Sequence, residues 1–157
     1  MVLKTNKILG KFMAYLPVAL NLENRLVVII GGGNIALQKV KTLQRYGAQV
    51  KVYAREVLDI VRETGVDWEE VTYHSGLLAG ASIVYGATDS WDLNREIGND
   101  GRAIGAIVNV VDDPKNCDFV SPAIHQNGSM SVAVTSNAKD VMSSIRLRNK
   151  IREFLDD

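Results

Sequence analysis

The run "LVVIIGGGNIALQKVKTLQRYGAQVKVYA" constrains this chain more than any other stretch. Leu26–Ile30 is an unbroken apolar run rich in β-branched residues, the pattern of a strand buried on both faces in a parallel sheet. Three glycines follow, and then Ala36, Val40 and Leu43 recur at i, i+4 and i+7 on one helix face, ended by Gly47. A second strand, "AQVKVYA", comes next. Gly31-Gly32-Gly33-Asn34-Ile35-Ala36 fits G-x-G-x-x-A, with a strand before it and a helix after. Gly31 allows the sharp turn, Gly33 leaves the backbone open to a pyrophosphate, and Ala36 permits close helix–strand contact. The helix N-terminus adds free N–H groups and a positive dipole end. This context predicts dinucleotide binding.

About 20 residues after such a loop an acid usually holds the adenine ribose. That place falls at Tyr53. Glu56 comes three residues later, and Arg55 is placed to receive a 2′-phosphate or simply to be a solvated charge. The strand end therefore does not choose between NAD and NADP.

Beyond it, "REVLDIVRETG" reads as a short helix, and "EEVTYHSG" and "ASIVYGAT" as strands. "SWDLNREIGNDGRA" reads as a helix capped by Ser90, and "IGAIVNVVDDP" as a strand stopped by Pro114. The alternation predicts an α/β fold, a Rossmann-type doubly wound parallel sheet. Then "DFVSPA" and "GSMSVAVTS" read as strands around a turn at Gln126-Asn127-Gly128, and Asp140 to Phe154 as a helix. The expected organisation is a basic lead-in over 1–13, a dinucleotide-binding domain over 14–113, and a small β-plus-helix dimerisation and substrate segment over 114–157.

The totals narrow the class. The 157 residues are 46% hydrophobic and 23% charged with zero formal net charge, so no global field points to nucleic acid or membrane. No apolar run reaches the ~18–20 residues of a bilayer span. One cysteine, Cys117, fits a reducing compartment and a cytoplasmic setting. The N-terminus carries Lys4, Lys7 and Lys11 without an apolar stretch, and Met13 offers a second start. His74, His125 and Cys117 lack metal-ligand spacing, so no metal site is expected. Trp68 and Trp91 read as packing residues, and Met130 and Met142 as core or interface.

"YLPVALNLENRLVVIIGGGNIALQKVKTL", "GATDSWDLNREI" and "VNVVDDPKNCDFVSPA" together resemble the precorrin-2 dehydrogenase / sirohydrochlorin ferrochelatase family, the first module of siroheme synthases. The shared pieces are the glycine loop with Lys39 three residues beyond Ala36, then A-T-D…N, then N-V-V-D-x-P…F…P. The resemblance implies NAD-dependent oxidation of precorrin-2 to sirohydrochlorin, with ferrous iron inserted afterwards by some members. It implies a catalytic role for Asp112, placed at the end of a predicted parallel strand where ligands gather. It implies cofactor contacts from Asn34, Ile35, Arg55 and Glu56, beside Thr88 and Asp89 at another strand end, and a place near the active site for Ser136. Asn109, in the same motif as Asp112, falls on the substrate side. Such a polycarboxylate calls for cations, and Lys139, Arg146, Arg148, Lys150 and Arg152 flank the apolar stripe Leu147, Ile151, Phe154 and Leu155.

The chain departs from the family in two places. Asn137-Ala138 stands where a small, often glycine-containing turn is usual, and Asp140-Val141 replaces Ser-Pro. The family commonly continues with a further helical segment, which makes chelation less secure than dehydrogenation. Two other readings compete: a regulatory module that senses NAD(H) without chemistry, and a tetrapyrrole carrier or chelatase without redox activity. The β-plus-helix segment, too small to bury much surface by itself, predicts a homodimer.

Overall fold

A computed structural model describes residues 15–111 and 113–156, the last by its backbone alone. The described residues form two compact units, one over 19–120 and one combining 15–18 with 121–156.

In the larger unit five parallel strands run in the order β3-β2-β1-β4-β5. They are β1 (Leu26–Ile30), β2 (Gln49–Ala54), β3 (Asp67–Glu70), β4 (Ile83–Gly86) and β5 (Ile107–Val110). This is the strand order of a Rossmann sheet, in which the order of strand addition reverses between β1 and β4 and leaves a crevice at their C-terminal ends. Helices α1 (Asn34–Gln44), α2 (Asp59–Arg62) and α3 (Trp91–Ala103) complete the unit.

The apolar side chains of β1 alternate between two cores. Val27 and Ile29 pack with Ala36, Val40 and Leu43 of α1. Val28 and Ile30 pack with Val84, Ile97 and Val108 on the α3 side. Burial on both faces explains why β1 reads as a continuous hydrophobic run. The helix face predicted for α1 is the one the protein buries. Ser90 caps α3 by accepting the Leu93 N–H at 3.3 Å.

Three expectations need correction. The helix expected over "REVLDIVRETG" shrinks to Asp59–Arg62, because the residues before it are tied to the glycine loop and to Glu70. The strand expected at "EEVTYHSG" is β3, which ends at Glu70; its residues are all exposed, as suits a charged edge strand. "DFVSPA" is not a strand up to Pro122. Asp118 instead satisfies the free edge of β5: its N–H donates to Val108 O at 2.8 Å, and its carboxylate accepts the Val108 N–H at 2.9 Å and Arg102 Nε at 3.0 Å.

The smaller unit is an antiparallel hairpin, β6 (Ala123–Asn127) and β7 (Met130–Val134), with helix α4 (Val141–Asp156) packed on it. Asn127 pairs with Met130, so the turn is Gly128-Ser129, one residue later than the Asn-Gly signal suggests. Gly128 has φ +57°, the left-handed conformation that a two-residue hairpin turn demands at its first central position. Asp140 caps α4, accepting the Ser143 N–H at 2.8 Å and its hydroxyl at 2.6 Å. These bonds from Ser143 hold the Asp140 carboxyl below its usual range.

Asn137 and Ala138 both sit at positive φ, +58° and +59°. Asn tolerates this region, but alanine pays roughly 1–2 kcal/mol for it. Replacing Ala138 by glycine relieves that strain and adds about 0.4–1 kcal/mol of unfolded-state entropy. Strain relief outweighs that entropy, so A138G is expected to raise the unfolding free energy by about 0.5–1 kcal/mol, read from the urea midpoint at unchanged slope.

Candidate functional site: a cleft at the strand ends

The glycine loop is built by exclusion. Gly31 has φ +130° and donates its N–H to Tyr53 O at 2.8 Å. A Cβ at Gly31 would lie 2.2 Å from Ala87 O, and one at Gly32 would lie 2.3 Å from Glu56 O and 2.8 Å from Val57 Cα. A Cβ at Gly33 would meet no atom within 4 Å. Gly31 and Gly32 are therefore glycine for packing, and Gly33 opens onto free space at the N-cap of α1. The sequence pattern, which treats the middle position as variable, misses Gly32.

The start of α1 suits an anion. No acidic side chain lies in its first turn, and Gly33 provides no side-chain cap. The first N–H groups of any α-helix have no acceptor within the helix, and the dipole is positive there. Asn34 and Ile35 are exposed on this turn, while Ala36 is wholly buried against β1. These residues fit the pyrophosphate of a dinucleotide.

On the β2 side, Tyr53 reaches the loop through its carbonyl. Its ring is buried in the core on the α3 face, with Lys51 Nζ 5.0 Å from the ring centre. The bend after β2 is held from behind. Leu58 N–H donates to Gly32 O, Val57 N–H donates to Glu70 Oε1, and Arg62 bonds both Glu70 (2.5 Å) and Val57 O (2.8 Å). Arg55 and Glu56 project from this frame and are exposed.

On the other side a cleft of about 320 Å³ is lined by Ile35, Ala87, Thr88, Asp89, Trp91, Asn94 and Val111. Thr88 and Asn94 lock its floor. The Thr88 N–H donates to Asn94 Oδ1 at 2.9 Å, and Asn94 Nδ2 donates back to Thr88 O at 2.9 Å. Asp89 stands exposed on the rim. Asn94 is the asparagine of the A-T-D…N pattern, and its role here is to fix that turn. Trp91, read from sequence as packing, is 55% exposed and lines the cleft.

Asp112 lies outside the described residues; Val111, which precedes it, lines the cleft and donates its N–H to Gly86 O at 2.9 Å. Asn109 is buried, and its amide donates to Phe119 O at 2.9 Å, which makes it an anchor for the segment after β5. Cys117 anchors the same segment: its Sγ accepts the Val110 N–H at 3.2 Å and lies 3.1 Å from Val110 O. Burial pushes its thiol pKa up. Lys39 lies half-buried on α1 with Nζ 5.2 Å from the Tyr85 ring centre, and burial lowers its pKa.

The remaining residues singled out in the sequence lie in the smaller unit. Ser136 Oγ accepts the Asp140 N–H at 2.9 Å, and Lys139 is exposed. Arg146 donates to Ser143 Oγ at 2.6 Å. Arg148 ties α4 to β6 by donating to Ile124 O at 2.8 Å. Met130 and Met142 are exposed rather than core. Among the described residues no group of three His, Cys, Asp or Glu side chains is arranged to hold a metal, and no helix is long and apolar enough to cross a membrane.

Sheet order, glycine loop and cleft define a Rossmann-type dinucleotide-binding protein. Residues 18–123 match the family described as "Putative NAD(P)-binding", and the chain belongs to that family. It is 35% identical over 147 residues to siroheme synthase 1 of Pectobacterium atrosepticum, and also 35% identical to siroheme synthase of Azotobacter vinelandii. Each alignment covers 91% of this chain but only 31% and 32% of those proteins, so the chain spans about a third of the length of these curated relatives. Its fold is similar to that of a solved structure titled "SirC, precorrin-2 dehydrogenase", with a TM-score of 0.75 at 21% identity, covering 89% of this chain and 71% of that one.

Two glycine substitutions separate packing from binding. G33V places its side chain in open space, so it should melt within a few degrees of the parent while weakening NAD+ binding at least tenfold by calorimetry. G31V meets the Ala87 main chain at a positive φ and should fail to fold or lose several kcal/mol of stability.

Proposed function

We propose that this chain is an NAD+-dependent dehydrogenase that oxidises precorrin-2 to sirohydrochlorin. The observation that carries this reading is the cleft, whose wall runs from Ile35 beside the glycine loop to Val111, the residue before Asp112. It lies at the C-terminal ends of β4 and β5, where doubly wound sheets bind their ligands. The named siroheme synthase relatives support the substrate class.

Gly33, Asn34, Ile35 and the first turn of α1 hold the pyrophosphate, Arg55 and Glu56 meet the adenosine half, and Thr88 and Asp89 face the nicotinamide half. When bound, NAD+ supplies the hydride acceptor. Asp112 accepts the proton released as the ring is oxidised, the work expected of a carboxylate at this strand end. Asn109 and Cys117 contribute by holding the segment that follows β5. Ser136, Lys139, Arg146 and Arg148 are polar and cationic groups of the kind that a polycarboxylate substrate calls for. The single thiol suits a reducing, cytoplasmic setting.

An anaerobic assay tests the reading. Precorrin-2 with NAD+ should yield the sirohydrochlorin spectrum. D112A and D112N should each lower kcat by about 10²–10³-fold with the NAD+ affinity unchanged. Cofactor binding without any turnover by the parent protein would favour a regulatory NAD(H)-binding module instead. Adding ferrous iron to the product tests metal insertion in the same cuvette.

The smaller unit is proposed to pair with its counterpart in a second copy. It exposes the large apolar side chains Met130 (69%), Met142 (59%), Leu147 (51%) and Phe154 (81%), which association with a second copy would cover. Sedimentation should give a dimer, and L147E/F154E should give a monomer whose NAD+ affinity is retained.

A further inference from the structure

We propose that Trp91 is the platform on which the tetrapyrrole ring stacks at the mouth of the cleft, with Arg95 holding the indole in place and meeting a substrate carboxylate. This assignment rests on the reading of the chain as a precorrin-2 dehydrogenase.

The first argument is size. The cleft, about 320 Å³, lies at the low end of the ~300–1,000 Å³ typical of small-molecule pockets. It accommodates a nicotinamide but not a macrocycle as well, so a tetrapyrrole that reacts with a cofactor there has to lie across the opening. The opening carries two exposed apolar side chains, Ile35 (38%) and Trp91 (55%). Of these, Trp91 has the flat face that a conjugated ring requires.

The second argument is rigidity. Trp91 is the first residue of α3, directly after the Ser90 cap and within the turn that the Thr88–Asn94 hydrogen bonds lock. Its backbone is therefore fixed on the cleft side. Arg95, one helical turn on, lies with Cζ 4.9 Å from the indole centre, a cation–π contact that holds the ring while the guanidinium stays exposed. Packing does not account for this tryptophan, since more than half of it remains in water. Trp68 has a comparable partner in Arg62, 4.4 Å away, but does not line the cleft. The other face of the indole, beside an exposed guanidinium, matches a flat ring fringed with carboxylates.

The test is anaerobic titration with sirohydrochlorin, followed by the change in its absorbance, for the parent protein, W91F, W91A and R95Q. NAD+ affinity is measured on the same proteins by calorimetry, and thermal melts check folding. W91A should raise the Kd for sirohydrochlorin about tenfold, and W91F only two- to threefold, since a ring remains. R95Q should raise it about threefold and flatten its salt dependence. NAD+ affinity should stay within about twofold in all of them. Parent-like binding by W91A would overturn the proposal and leave Trp91 an ordinary helix-surface residue, with the function untouched. An equal loss of NAD+ affinity in W91A would assign the indole to the cofactor and also overturn it. If the parent protein gives no absorbance change, the functional reading itself fails and this assignment falls with it.

Discussion

The slot above β1 governs what surrounds it. β1 is hydrogen-bonded to β2 on one side and β4 on the other, and both its faces are buried. The chain leaving it can only pass between the Ala87 main chain and the bend at Glu56, and neither neighbour leaves room for a Cβ at Gly31 or Gly32. That passage sets where α1 begins. Ala36 then closes against the sheet with no exposure, and the free N–H groups of the first turn come to stand over the strand ends. Binding capacity follows from packing: two glycines are required by the fold, and the third leaves the space a phosphate needs.

The same economy appears on the flanks. Each turn beside the slot is locked by side chains that satisfy main-chain groups: Glu70 on Val57, Asn94 on Thr88, Asp118 on Val108, Cys117 on Val110. Groups that could bind a ligand are thereby divided into two sets. Those consumed by the frame, Asn109 among them, already have main-chain partners, whether buried like Asn94 and Asn109 or exposed like Glu70 and Asp118. Those left over, Arg55, Glu56, Asp89 and Trp91, are exposed around the strand ends. A frame whose polar groups are already paired does not have to reorganise when a ligand arrives, which lowers the cost of binding.

What can be read from sequence follows from the range of the interactions involved. β1, the glycine loop and α1 are legible because a buried strand, a left-handed turn and an amphipathic helix are each written in neighbouring residues. The same holds for α3 with its Ser90 cap. "DFVSPA" misleads because its partner is β5 through the Asp118 carboxylate, a contact no local pattern encodes. β3 lies earlier than its sequence suggests because an edge strand with every residue exposed lacks the alternation that marks a half-buried one. Trp91 reads as packing because tryptophan is usually well buried, and its exposure depends on where α3 starts relative to the cleft. Gly32 escapes the motif because the slot becomes tight only once Glu56 is folded against it.

The turn before α4 shows how a departure in sequence can leave structure in place. Two consecutive left-handed residues there would favour glycine, yet the chain carries Asn137 and Ala138. Asparagine meets half of the demand by itself, and its side chain is put to use: Asn137 Oδ1 accepts the Tyr15 N–H at 3.1 Å from a buried position. Alanine has no such means, and its strain is held by what flanks it. Ser136 Oγ accepts the Asp140 N–H, Lys139 N–H donates to Ser136 O, and Asp140 caps the helix through Ser143. Each of these bonds contributes about 1 kcal/mol, so together they outweigh the one or two that a left-handed alanine costs. Ser136 is thus an architectural residue of this turn, and a role with substrate would be added to that one. The turn holds without glycine because the serine before it and the aspartate after it bind the backbone from both sides.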